Sequence, residues 1–200
     1  MKIIRLILIL LVGGYLTYLT YSFQFQTFFG DAVIWFLLIA VGVFIFLWTI
    51  FKDFKVYKIE NHIQSFALTF LCLTFISTIL ILEFKIQRNF DKPTLLKVYY
   101  DGDYNGTAID FKKDGTYIFE NSAIGLNSYS YGTYEINRNK ITLDRDQIDN
   151  LTNLKHLKID EKQINYQDGT KKELYLFQVD TNDMVIESTT EYRITIDNRK

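Results

Sequence analysis

Residues 32–51 read AVIWFLLIAVGVFIFLWTIF, twenty consecutive residues without a charge. A helix of twenty residues rises about 30 Å, the hydrocarbon thickness of a bilayer. Apolar residues occupy every side of such a helix, so it has no polar face to turn to water. Two further runs share the pattern. Leu6 to Tyr21 is sixteen uncharged residues, extended past Arg5 by Ile3 and Ile4, and Ile63 to Leu82 is another twenty. The expectation is a three-helix transmembrane domain over residues 1–84, with spans at about 3–21, 32–51 and 63–82 in contact with a lipid bilayer. The first run carries Lys2 and Arg5 in front of it, as a signal peptide would, but neither a small-x-small cleavage site nor a lipid-accepting Cys follows. An uncleaved helix is expected.

Working outward, the chain divides by charge. Residues 1–94 hold eight Lys/Arg against five Asp/Glu, net +3, and the remainder holds fourteen against eighteen, net −4. The overall −1 and the mean hydropathy of +0.03 average two unlike halves. This balance gives no support to nucleic-acid binding. A single Cys and two His exclude a disulfide framework and weigh against a Cys/His metal site. Lys2 and Arg5 precede the first run, and Lys52, Lys55 and Lys58 fill the second loop, whereas Ser22 to Asp31 has no Lys or Arg. The excess of basic residues on cytoplasmic loops places the amino terminus in the cytoplasm and, after three crossings, residues 95–200 outside it. Lys85, Arg88 and Lys92 pull the other way, three against five. No Asp, Glu, Lys, Arg or His falls within the three apolar cores, which argues against a transporter or pump. Gly13-Gly14 and the series Ser65, Thr69, Cys72 mark candidate close helix contacts.

Residues 85–94 read as a linker ending near Pro93, the only proline. From Leu95 the apolar pattern changes to two-residue alternation. Thr107–Lys112 and Thr116–Asn121 flank Lys113-Asp114-Gly115, with Ile109 and Phe111 on one face and Tyr117 and Phe119 on the other strand's matching face. That is a hairpin signal. Further strands are expected over 127–136, 140–144, 156–160, 163–166, 173–179, 184–187 and 191–197, with a short helix or loop over 145–153. Eight to ten strands joined by hairpins predict an antiparallel up-and-down meander that closes, or nearly closes, into a small barrel over residues 95–200.

Three segments of this half, Lys113-Asp114-Gly115-Thr116-Tyr117, Tyr131-Gly132-Thr133-Tyr134-Glu135-Ile136 and Asn139-Lys140-Ile141-Thr142-Leu143, lie within a stretch of roughly forty residues, 107–144. Together they resemble the strand–turn pattern of lipocalin-like and copper-resistance-lipoprotein-like β-barrel domains of bacterial envelopes. The resemblance implies a bacterial envelope barrel with a ligand cavity and transfers no catalytic residues. The chain departs from the lipoprotein members in its three-helix anchor and in lacking the lipid-accepting Cys.

Residues with chemical potential are few. Asp101-Gly102-Asp103-Tyr104-Asn105-Gly106 opens like a Ca²⁺ loop, with oxygen ligands at Asp101, Asp103 and Asn105 and a turning glycine. Position 12 of that loop is Lys112, and the competing reading is an inter-strand turn. His156 stands without a second His or Cys in its half. Ser128, Ser130 and Ser188 lack a nucleophile-elbow context, and the acids at 144/146/149 and 160/161 fall in turns. Asn105-Gly-Thr107 and Asn150-Leu-Thr152 are glycosylation sequons, without meaning in a bacterial host. Tyr129, Tyr131 and Tyr134 form a candidate binding surface in a tyrosine-rich half. No catalytic residue, cofactor or metal is assigned. The reading is a non-enzymatic membrane protein of the bacterial cytoplasmic membrane that presents a β domain to a protein partner or envelope component. The alternatives are lipocalin-like binding of a small apolar ligand and, last, an envelope hydrolase.

Overall fold

The computed structural model describes residues 2–149, 155–187 and 189–199. It divides into two compact units, Met1–Asn89 and Phe90–Lys200.

The first unit is helical. Helix α1 runs Lys2–Ser22, a three-residue strand β1 spans Gln26–Phe28, and α2 runs Phe29–Glu60. A 3₁₀ turn at Ile63–Phe66 leads into α3, Ala67–Phe90. All three helices are long and apolar enough to cross a membrane. Helix α2 ends at Asn61, whose left-handed φ of 51° lets its N–H close on the Tyr57 carbonyl, a conformation asparagine tolerates better than most residues. Helix α3 continues beyond the apolar run that predicts it, through Glu83, Lys85 and Arg88, so much of the expected linker is helical. Nothing in 83–90 breaks a helix, and the first breaker is Pro93. Ile9, Ile45 and Cys72 form the centre of the bundle, flanked by Val12, Phe46 and Phe75. Gly13 is needed there: a Cβ on it would lie 2.7 Å from the Phe75 ring, whereas one on Gly14 would meet nothing. Of the two glycines, Gly13 alone makes the expected close contact.

The second unit is a closed barrel of eight antiparallel strands. These are β2 (Thr94–Gly102), β3 (Asn105–Lys112), β4 (Thr116–Ala123), β5 (Leu126–Asn137), β6 (Lys140–Leu143), β7 (His156–Tyr166), β8 (Gly169–Gln178) and β9 (Tyr192–Asp197). Each pairs with the next, and β9 returns to β2 through Leu96↔Asp197, Lys97↔Ile196, Val98↔Ile194 and Tyr99↔Arg193. Three differences from the sequence reading stand out. Thr94–Gly102 is a full strand and closes the ring. The two expected strands around Lys162 are one continuous β7. Residues 184–187 contribute only a bridge between Val179 and Val185, because the Asp180 side chain accepts from the Asn182 and Met184 N–H groups and holds a turn there. The expected helix or loop over 145–153, the sequon at Asn150 and Ser188 lie wholly or partly outside the described residues.

The barrel is filled. Leu96, Val98, Ile109, Phe111, Tyr117, Phe119, Ile141, Leu157, Leu176 and Tyr192 are buried in one cluster, with Tyr134 and Ile148 beside them. Alternation explains which residues enter it, and eight strands give an interior just wide enough for side chains to fill. At the end where the chain arrives, the segment before β2 is fastened to the β3–β4 turn. Lys113 N–H donates to the Pro93 carbonyl at 2.8 Å, Lys92 pairs with Asp114 at 2.9 Å, and the Lys112 ammonium reaches the Phe90 carbonyl at 2.8 Å.

Gly132 reports on how tightly the interior is closed. A Cβ there would lie 2.5 Å from the Tyr117 ring tip and 2.6 Å from Asp144 Oδ1, and Tyr117 is fully buried. Overpacking of this kind costs about 1–3 kcal/mol. Gly132→Ala is therefore expected to lower the thermal midpoint of the full-length protein, followed by near-ultraviolet circular dichroism in detergent. An unchanged midpoint would mean that the wall yields at this point.

Candidate functional site

The three tyrosines expected to share a surface do not. Tyr129 and Tyr131 have one parity along β5 and Tyr134 the other, so strand alternation alone separates them. Tyr134 enters the core, its ring edge-on to Phe111 with centroids 4.9 Å apart, and its hydroxyl donates to the Lys112 carbonyl at 2.7 Å. Tyr129 and Tyr131 are half-buried on the outer wall, where Phe90 packs edge-on against Tyr129. Burial pushes the phenols of Tyr131 and Tyr134 up to about 12, so both are hydrogen-bond donors at neutral pH.

The Asp101–Gly106 run forms the β2–β3 hairpin end. Asp101 pairs with Gly106 and Gly102 with Asn105, leaving Asp103 in the turn with φ 63°. Lys112, at the position where a Ca²⁺ loop would close with a carboxylate, holds Asp110 at 2.7 Å. Among the described residues, no group of three or more His, Cys, Asp and Glu side chains could hold a metal ion. The turn acids are each engaged. Asp144 accepts from Arg145 and Tyr117, and the Arg145 hydrogen bond is the chief cause holding its carboxyl below the ordinary carboxylate range. Asp149 accepts from Ser128, Asp160 pairs with Lys158, and Glu161 with Lys172. His156 lies 3.5 Å from the Thr142 hydroxyl.

Two features were not anticipated from the sequence. The first is a groove of about 410 Å³ on the outer wall of β2, β3 and β4. Its floor is Gly106 and Ala108, and its sides are Lys97, Tyr99, Asp101, Asp103, Glu120 and Ser122. Small floor residues opposite large side residues make the depression. The β2–β3 and β4–β5 turns close it at the barrel end opposite the Pro93–Lys113 clasp, and they carry Tyr104 and Ile124, which are 79% and 83% exposed. A signal was present: Gly106 and Ala108 share one face of a strand otherwise lined by larger residues.

The second feature joins the three helices. Arg5 and Asp53, 3% and 1% exposed, form an ion pair at 2.8 Å. The other carboxylate oxygen of Asp53 accepts the Thr69 hydroxyl at 2.8 Å and the Thr69 N–H at 3.2 Å. Arg5 also donates to the Thr49 carbonyl at 3.4 Å. Asp53 thus serves as a remote cap for the first turn of α3, satisfying an N–H that has no partner within the helix. Both charges lie just outside the uncharged runs, which is why they read from sequence as flanking residues.

No protein-family model matches the chain, and no curated protein or solved structure matches it either.

The placement of Tyr134 has two measurable consequences. Tyr134→Phe removes one of the two donors to the Lys112 carbonyl, the Gly115 N–H remaining at 3.2 Å, and should cost about 0.5–1.5 kcal/mol in a denaturant titration, more than the wall variant Tyr129→Phe, which removes no buried hydrogen bond. Because the folded phenol ionises near 12 and a free one near 10, the unfolded chain loses its proton first. Stability should hold below pH 10 and fall as pH rises from there towards 12. A phenolate absorbance rise confined to the region around pH 10 would contradict the burial.

Proposed function

We propose that this chain is a bacterial cytoplasmic-membrane protein whose three helices hold the barrel on the outer side, where its wall binds a protein partner or another envelope component. The observation that carries this reading is the filled interior. A cage for a small apolar ligand needs an open lumen lined by aromatic side chains. Here Phe111, Tyr117, Phe119 and Tyr192 occupy that space themselves. The up-and-down meander supports kinship in form with lipocalin-like barrels, while the packed lumen argues against their mode of binding. The most exposed of the barrel's large hydrophobic side chains among the described residues, Tyr104 and Ile124, flank a concave surface instead, as binding anchors do.

The orientation rests on the lysines. Arg5 is neutralised by Asp53 within the bundle and Lys92 by Asp114 on the barrel. Lys2, Lys52, Lys55 and Lys58 remain on one side of the spans, and Lys85 and Arg88 on the other. This asymmetry supports a cytoplasmic amino terminus.

A single cysteine in the β7–β8 turn tests the topology. In a Cys72→Ser background, Asp168→Cys should react with a membrane-impermeant maleimide in intact cells; labelling only after lysis would reverse the orientation. A photo-crosslinking amino acid at Tyr104, on the groove, should capture an envelope component in those cells. The same probe at Tyr166, on the opposite end of the barrel, should not. Equal capture at the two ends would overturn the assignment of binding to this wall.

A further inference from the structure

The wall reading leaves the chemistry of the partner open, and the groove narrows it. Most acids of the barrel unit have a basic or hydroxyl partner: Asp110 with Lys112, Asp114 with Lys92, Asp144 with Arg145, Glu161 with Lys172, Glu173 with Arg193, Asp197 with Arg199. Glu135 and Glu187 also lack such a partner among the described residues, each at its own place in the chain, whereas the groove lining gathers three acids without a basic partner. Among the described residues Asp101 and Asp103 take part in no ion pair or side-chain hydrogen bond, and Glu120 has only the Ser122 hydroxyl. Three carboxylates stand against one ammonium, Lys97, around a depression of about 410 Å³. The charges are drawn together by register. Lys97, Tyr99 and Asp101 alternate along the outer face of β2, and Glu120 lies across Ala108 on β4.

The remaining lining favours the same class of ligand. Tyr99 extends over Gly106, where an added Cβ would sit 2.6 Å from the phenol oxygen. Its ring and that of the exposed Tyr104 offer π-faces, which attract ammonium and guanidinium groups and cover their aliphatic stems. Backbone recognition is closed off, because β2, β3 and β4 each pair on both edges, so a partner cannot add as a strand here. Recognition must come through side chains.

We infer that the groove takes a Lys- or Arg-bearing segment of a partner protein, the cationic side chain lying between Tyr99 and Tyr104 with its charge against Asp101, Asp103 and Glu120. This rests on the wall-binding reading above, and the test separates the two. The full-length protein is placed in neutral phosphatidylcholine nanodiscs and titrated into fluorescein-labelled tetralysine, tetraserine and tetraglutamate peptides, read by anisotropy. Tetralysine should bind saturably and weaken as salt is raised, since exposed charges are screened. Asp101→Asn/Asp103→Asn/Glu120→Gln should weaken it at least tenfold. Gly106→Leu, which fills the floor without changing charge, should do the same. Asp160→Asn/Glu161→Gln, two acids elsewhere on the barrel, should leave it unchanged. The thermal midpoint of each variant confirms that it has folded. Tetraserine or tetraglutamate binding that is lost in Gly106→Leu would overturn the cationic assignment and keep the wall as the binding surface. Binding of no peptide that is sensitive to Gly106→Leu would overturn both.

Discussion

The carboxylate of Asp53 is the point on which the helical unit depends. One oxygen holds Arg5 of α1 and the other holds the hydroxyl and N–H of Thr69 at the start of α3, while the residue itself belongs to α2. Helices in lipid gain little from burying apolar side chains against one another, because the tails around them are equally apolar. Polar ties and close packing must then select the arrangement. Ile9, Ile45 and Cys72 pack together near the tie, and Gly13 lets the Phe75 ring approach α1. A buried pair is not stabilising merely by being present, since desolvating two ions costs several kcal/mol each. Its value here lies in direction: four hydrogen bonds to atoms on three helices specify which faces meet.

In the second unit the governing constraint is strand number. An eight-stranded barrel encloses about the volume of its own inward side chains. With Phe111, Tyr117, Phe119 and Tyr192 among them, the interior becomes a core and not a container. The wall where β3 presents Gly106 and Ala108 also gathers Asp101, Asp103 and Glu120, none with a basic partner, and the exposed Tyr104 and Ile124. At the other end of these strands local pairing ties the chain down, as in Lys92 with Asp114 and Thr116.

The architecture was largely legible because its signals are periodic and local. Continuous apolarity over 32–51 marks a membrane helix, and alternation around Asp114-Gly115 marks a hairpin. What the residues did not disclose depends on partners distant in sequence. Arg5 and Asp53 lie forty-eight positions apart, and each reads alone as a charge at a helix end. The strand Thr94–Gly102 follows Pro93 and alternates from Leu95, but its pairing with β9, which closes the ring, joins residues about a hundred positions apart. The groove required the register of three strands, since only that brings Asp101 and Glu120 to the same depression. The grouping of Tyr134 with Tyr129 and Tyr131 is different in kind: odd and even positions of a strand face opposite ways, so the sequence already contained the correction.

The most direct measurement of the Asp53 tie is a double-mutant cycle on its ion pair. Arg5→Met, Asp53→Leu and the combined variant are compared with the wild type by thermal unfolding of the full-length protein in nanodiscs. Each single substitution leaves a buried charge without its partner and should cost about 3–5 kcal/mol. The double variant removes both charges and should be more stable than either single variant. If the two losses simply add, Arg5 and Asp53 act independently and the three helices are held together by something else.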